Sequence, residues 1–265
     1  MTALSYAAAD SATMLRRNLR HMLRYPAMTA MLLAVPVIFL LIFVYVFGGT
    51  LGAGLGHVAD GRAAYIRYVV PGIILLTVAS AAQATAISVA MDMTTGIIAR
   101  FRTMAISRAS VLTGHVLGSM IQSVLGIAVI IGIALAVGFR PTAGPLAWLA
   151  AAGLLLLTAF ALTWLSVALG LVSKTVETAS NLPMFLMLLP FLGSGFVPTA
   201  SMPAGLRWFA EYQPFTPVTQ TLRGLLAGGP VGASAIIAVA WGVGIALLSY
   251  LWSRRLYRRH RRPVG

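Results

Sequence analysis

"VVPGIILLTVASAAQATAISVAM" fills positions 69–91 and contains no Asp, Glu, Lys or Arg. A helix rises about 1.5 Å per residue, so this run is long enough to cross the roughly 30 Å hydrocarbon core of a bilayer. A surface helix of that length in water would carry a charged stripe opposite its apolar one. Here the polar atoms amount to a few hydroxyls and one amide, and the segment reads as a membrane helix. Working outward, comparable apolar runs occupy 28–48, 111–137, 146–172, 182–197 and 231–252. The chain is 59% hydrophobic and 9% charged, against about a quarter charged in ordinary globular domains. The expected fold class is therefore an all-α membrane protein of six transmembrane helices, forming a single transmembrane domain over 1–265. The fifth run is the shortest. Pro183, Pro190 and "FLGSGF" (191–196) interrupt it, which predicts a kinked or broken span.

A net charge of +14 in a soluble chain would suggest a nucleic-acid partner. Here the basic residues are confined to the gaps between apolar runs, and no nucleic acid is expected. Threading six spans with both termini in the cytoplasm puts Arg16, Arg17, Arg20, Arg24, Arg100, Arg102, Arg108, Lys174, Arg254, Arg255, Arg258, Arg259, Arg261 and Arg262 on that side. Only Arg62, Arg67, Arg140, Arg207 and Arg223 fall outside. That asymmetry satisfies the positive-inside rule. The basic leader is long, and the first apolar run exceeds the usual 7–15-residue signal-peptide core, so the first run reads as a retained span. The arginine-rich, Ala/Gly-rich composition suits a bacterial chain in the inner (plasma) membrane.

Two segments outside the spans carry pattern. Residues 11–25 place Leu15, Leu19, Met22 and Leu23 on one helical arc and Arg16, Arg17, Arg20 and Arg24 on the next. This is an amphipathic helix expected to lie on membrane lipid at the cytoplasmic face. Residues 198–230 are too long for a turn and too apolar for a solvated loop. Pro203 introduces one short helix. In "TPVTQTLRGLLAGG" (216–229) Thr216 can cap a second, with Pro217 in its first turn and Gly228 at its end. The expectation is a re-entrant helical pair between spans five and six.

Several chemistries are excluded. The chain has no cysteine, so it has no disulfide, thiolate site or cysteine nucleophile. Its acids are Asp10, Asp60, Asp92, Glu177 and Glu211, outside the spans or at their ends. Proton-driven antiport needs titratable groups at depth and is disfavoured. His115 reads as a packed or interfacial residue, and no metal site is expected. "DGRAAYIR" (60–67) lacks the arginine and aspartate pair of a phosphatidyltransferase motif. "ALGLVSKT" (168–175) has Ala168 and Ser173 where a P-loop needs glycines. ATP is therefore not hydrolysed by this chain, and such energy would come from a cytoplasmic partner.

The basic amphipathic leader, the six runs, "TGIIARFRTMAISR" (95–108) and "FLGSGFVPTASMPAGLRWFAEYQPFTPVTQTLRGLL" (191–226) together resemble the permease subunits of type-2 ABC exporters, most closely the daunorubicin-resistance type. The second stretch is the more specific, with Phe196, Pro198, Pro203, Arg207, Trp208, Gln213, Pro214, Thr216 and Pro217 in the family order. Ala105 departs from it, where a proline is common. The resemblance implies a coupling loop at 94–108 that docks on a separate ABC ATPase subunit. In it Ile97, Ile98 and Phe101 would fill an apolar groove, Arg100 and Arg102 would meet acids on the rim, and Gly96 would open the segment. ATP and Mg would sit on the ATPase, with no cofactor bound by this chain. The working unit would contain a second permease copy or a paralogue, and Gly114 and Gly118 offer a small-residue contact of the kind that lets helices approach. Pro198, Pro203, Arg207, Trp208, Pro214 and Pro217 would build an outer gate. Thr77, Ser80, Ala84 and Ser88 share one face of the second span with Gln83 nearby, and read as a candidate substrate path or as packing. The expected function is export of an amphipathic or hydrophobic compound, whether drug, lipid or polyketide-like. The alternatives are a polysaccharide or glycolipid export permease and a non-transporting docking or assembly protein.

Overall fold

The computed structural model describes residue 24 and residues 26–53, 61–94 and 108–259. Every regular element among them is helical. Helix α1 (Pro26–Leu41) contains Pro36 and passes into a π-helical turn at Ile42–Val46, and α2 (Gly48–Ala53) follows. Helix α3 spans Gly61–Thr94, 34 residues. It starts well before position 69, because Tyr65 and Ile66 are buried and extend the packed face past the uncharged run. Helices α4 (Arg108–Ala136) and α5 (Pro145–Val172) come next. Pro145 sits at the start of α5, where its missing N–H would have had no partner. Among the described residues four helices are long and apolar enough to cross a membrane: α3, α4, α5 and the last helix, α10 (Gly232–Arg259).

The 182–197 region holds no helix of spanning length. After α6 (Val176–Asn181) it holds only α7 (Met184–Leu188) and successive turns that lead to the 3-10 turn Thr199–Ser201. Pro183 and Pro190 supply no amide to continue the ladder, as expected from the sequence. Thr175 caps α6 by accepting from the Thr178 N–H at 3.2 Å. Exposed Glu177 sits in that first turn, its carboxyl held below its usual range first by a backbone hydrogen bond and then by the Thr175 hydroxyl. The expected short helices follow as α8 (Ala204–Tyr212) and α9 (Phe215–Ala227). Gly228 ends α9 at φ 68°, a left-handed conformation that glycine adopts without penalty.

Helix α3 is the axis. Of its apolar window 78% is buried, against 72% for α5, 33% for α4 and 22% for α10, so α3 and α5 form the interior and the other two present their sides to the surroundings. In a bilayer the attraction between helices is close van der Waals packing rather than water exclusion. Small residues provide it: a Cβ on Gly126 of α4 would lie 2.9 Å from the Thr77 methyl, and one on Gly170 of α5 would lie 2.6 Å from the Ala86 carbonyl. One apolar core runs through α3 and takes in Leu40, Ile73, Ile130, Leu155, Phe196 and Leu222. Helices α1, α4, α5, α6 and α9 thus share a single partner helix.

Candidate functional site

At the Gly61 end of the bundle the broken segment packs backbone to backbone on α3. A Cβ on Gly72 would come 2.6 Å from the Gly195 carbonyl, and one on Gly195 would come 2.5 Å from the Pro190 carbonyl. A chain that leaves helical geometry at this depth strands peptide groups, each costly unless a partner is found. Side chains from α3, from α9 and from Gln213 between α8 and α9 supply the partners. Arg223 of α9 donates from Nη2 to the carbonyls of Ser194 (2.8 Å) and Tyr68 (3.0 Å), and its guanidinium lies 3.7 Å from the centre of the Tyr68 ring. Gln213 donates to the Leu189 carbonyl at 3.1 Å and accepts the Phe215 N–H at 3.1 Å. Thr216 accepts the Ser194 N–H at 3.1 Å, and the Tyr65 hydroxyl donates to the Phe196 carbonyl at 3.2 Å. Phe191 and Phe196 stack at 4.2 Å, and Phe43 in the π-helical turn after α1 lies 4.7 Å from Phe196. The result is a clamp that fastens α1, α3, the broken segment and α9 together.

Of the expected gate residues, Pro198 precedes the 3-10 turn, Pro203 precedes α8, Pro214 precedes α9 and Pro217 is buried in its first turn. Arg207 donates to the carbonyls of Thr199 (3.2 Å) and Ala200 (2.6 Å), closing α8 onto the 3-10 turn. Trp208 points away, 66% exposed beside Tyr212. Thr216 does not cap α9 as its position suggests. Pro214 stands at the cap, and the Thr216 hydroxyl is taken by Ser194. Arg223 entered the sequence reading only as one outside charge. Its signal was a lone cation within the apolar "TQTLRGLL" (219–226), which at membrane depth marks a functional position.

At the Thr94 end Asp92 Oδ2 and His115 Nε2 lie 3.0 Å apart with both residues buried, tying α3 to α4. His115 is packed as expected but also has an acid partner, and Asp92 is drawn inside. The candidate path residues Thr77, Ser80, Gln83 and Ser88 all lie on α3. Thr77 and Ser80 bond back to the carbonyls of Ile73 and Leu76, Gln83 donates to the Ser180 carbonyl at 2.8 Å, and Ser88 is exposed. Gln83 thus serves the α6 break. Gly114 and Gly118 are buried inside the chain's own fold. The expected coupling residues Gly96, Ile97, Ile98, Arg100, Phe101 and Arg102, and Arg16, Arg17 and Arg20 of the leader, lie outside the described residues, while Arg24 is helical and exposed.

Residues 11–227 match the model of the ABC-2 type transporter family. The chain belongs to that family. It is 29% identical over 244 residues to the daunorubicin resistance ABC transporter permease protein of Streptomyces coeruleorubidus, covering 91% of this chain and 81% of the relative. It is 23% identical over 227 residues to the probable doxorubicin resistance ABC transporter permease protein of Mycobacterium tuberculosis, covering 86% and 80%. This ABC-2 permease is accordingly a membrane subunit of an ABC exporter. Among its described residues no group of three or more His, Cys, Asp or Glu could hold a metal. A cavity of about 290 Å³ between α3, α4, α5 and α9 is lined by Ile74, Ile127, Ile131, Trp148, Leu155 and Leu226, with other apolar residues. None of Thr77, Ser80, Gln83 or Ser88 lines it.

Proposed function

We propose that this chain forms half of an ATP-driven exporter in a bacterial inner membrane, crossing it six times with both termini cytoplasmic. It moves an amphipathic or hydrophobic compound outward. Residues 94–108 dock on a separate ATPase subunit that carries ATP and Mg, and a second permease copy or paralogue completes the pathway. The observation that carries this reading is the similarity over 91% of the chain to a daunorubicin resistance permease. The architecture supplies a route for the coupling. Helix α3 runs without a break from the residues flanking the docking loop to the clamp. The Asp92–His115 pair joins the two helices on either side of that loop, so both move together. Displacement at the Thr94 end is delivered, through one packed helix, to Tyr65, Tyr68 and Gly72, the α3 members of the clamp. The clamp is then the outer gate, with α8 and α9 as the re-entrant pair.

The test is transport itself. Inverted vesicles containing this permease and its cognate ATPase are given an anthracycline or a fluorescent short-chain phospholipid. The expected result is ATP-dependent uptake of at least one, abolished by a hydrolysis-dead ATPase. Absence of uptake of both, with an ATPase that binds and hydrolyses normally, would overturn the assignment of cargo class.

A further inference from the structure

A second cleft, of about 530 Å³, opens between α5 and α10 toward the C-terminal end of each helix. Its walls are Leu165, Ile245, Leu248 and Leu251, and Trp252 and Arg255 stand at its far end. Buried Ser249 contributes to the floor. Residues 245, 248, 252 and 255 recur at helical spacing, so the lining is a continuous stripe along α10. From 245 to 255 the rise is about 15 Å, half of a roughly 30 Å hydrocarbon core. The stripe is therefore one leaflet deep, apolar along its length and cationic where the headgroups begin.

The surroundings decide the occupant. Helix α10 is the least buried of the four long helices, and Leu248 is 71% exposed, so the cleft opens sideways. Among the described residues Arg255 makes no ion pair. No Asp or Glu follows Glu211 in the sequence, whereas Arg254, Arg255, Arg258, Arg259, Arg261 and Arg262 do. A guanidinium fork matches a phosphate bidentately, an indole is favoured at headgroup level, and basic pockets at helix ends take anionic headgroups. We propose that this cleft holds one anionic glycerophospholipid, an acyl chain lying along Ile245, Leu248 and Leu251 with its phosphate on Arg255. None of the α3 residues read as a candidate path lines this cleft.

Arg254 provides an internal control. It is adjacent and equally charged, but its guanidinium lies over the Tyr250 ring at 5.6 Å and does not line the cleft. The full-length permease is reconstituted in equal parts phosphatidylglycerol and phosphatidylcholine, partly delipidated, and retained lipid is counted by native mass spectrometry. The wild type should keep phosphatidylglycerol in preference to phosphatidylcholine. Arg255→Gln should lower that preference about fivefold, the equivalent of one interfacial arginine, while Arg254→Gln leaves it unchanged. Leu248→Trp, which fills the cleft without altering charge, should also expel the lipid and covers the case in which Arg255→Gln inserts poorly. The proposal is overturned if the two arginine variants lose lipid equally, if Leu248→Trp retains it, or if both lipids are kept alike. Disulfide formation between two copies carrying Leu248→Cys would also overturn it, because the cleft would then be a protein contact.

Discussion

Arg223 shows how one cation can hold an irregular backbone in place. Its guanidinium reaches two carbonyls on different elements and stacks on the Tyr68 ring. Hydrogen bonds to a charged group contribute about 1.5–3 kcal/mol each, and a buried carbonyl left without a donor costs about 1–3 kcal/mol. Arg223→Met should therefore destabilise the permease by about 3 kcal/mol. Arg223→Lys keeps the charge but replaces a planar fork by a point donor, and should cost about half as much. Thermal unfolding midpoints in one detergent would rank them wild type, Lys, Met; a Lys variant as stable as wild type would mean that charge alone is what matters. The role of Arg223 was not legible beforehand, because a sequence shows that a cation sits among leucines but not which carbonyls lack donors. Asp92 and Gln83 carry the same lesson. Each was visible as a polar residue at a span end or on a span face, yet their partners His115 and Ser180 lie on other helices and only packing brings them together.

At the scale of elements, the long helices were readable because lipid imposes one requirement along a whole run, and a charge-free stretch meets it or does not. The break in the fifth region was readable too, since Pro183, Pro190 and the two glycines of "FLGSGF" each remove a reason to stay helical. The early start of α3 was hidden by Arg62 and Arg67, which end the uncharged run while the buried face continues through Tyr65 and Ile66. The close packing of the break gives an ordered prediction. In Gly193→Ala the new methyl would meet the Gln213 amide and the Thr216 hydroxyl, the ends of side chains that can turn away at the cost of their bonds to Leu189 and Ser194. In Gly195→Ala it would meet the Pro190 carbonyl at 2.5 Å, with the Gly72 backbone at 3.5 Å, and neither can rotate. Overpacking typically costs about 1–3 kcal/mol, so Gly193→Ala should fall near the lower figure and Gly195→Ala near or above the upper. Yields of folded protein by fluorescence-detected size exclusion would check the order, and the reverse order would show that the broken segment does not fold back on Pro190 as described.

For the whole molecule, the proposed mechanism places force at one end of α3 and a gate at the other, with the ATPase as the source of motion. Family membership was legible from motif order, whereas cargo was not, because an apolar cavity accepts many compounds by the same burial of surface. The central claim is that residues 94–108 are the point of attachment. In that proposed loop Ile98 and Phe101 would be the apolar anchor, and full burial of such a side chain is worth about 1.5–3 kcal/mol. Truncating both, with incomplete burial allowed for, should remove about 2–4 kcal/mol and weaken the subunit contact by a factor on the order of 30 to 1000. Arg100 and Arg102, as rim charges, should matter less individually and more at low salt. The most direct measurement is the amount of ATPase that co-purifies with Ile98→Ala/Phe101→Ala permease from membranes, relative to permease recovered. Permease levels should be normal, because both residues fall outside the apolar runs, with little ATPase bound and no transport. Wild-type stoichiometry of ATPase together with retained transport would contradict attachment at residues 94–108.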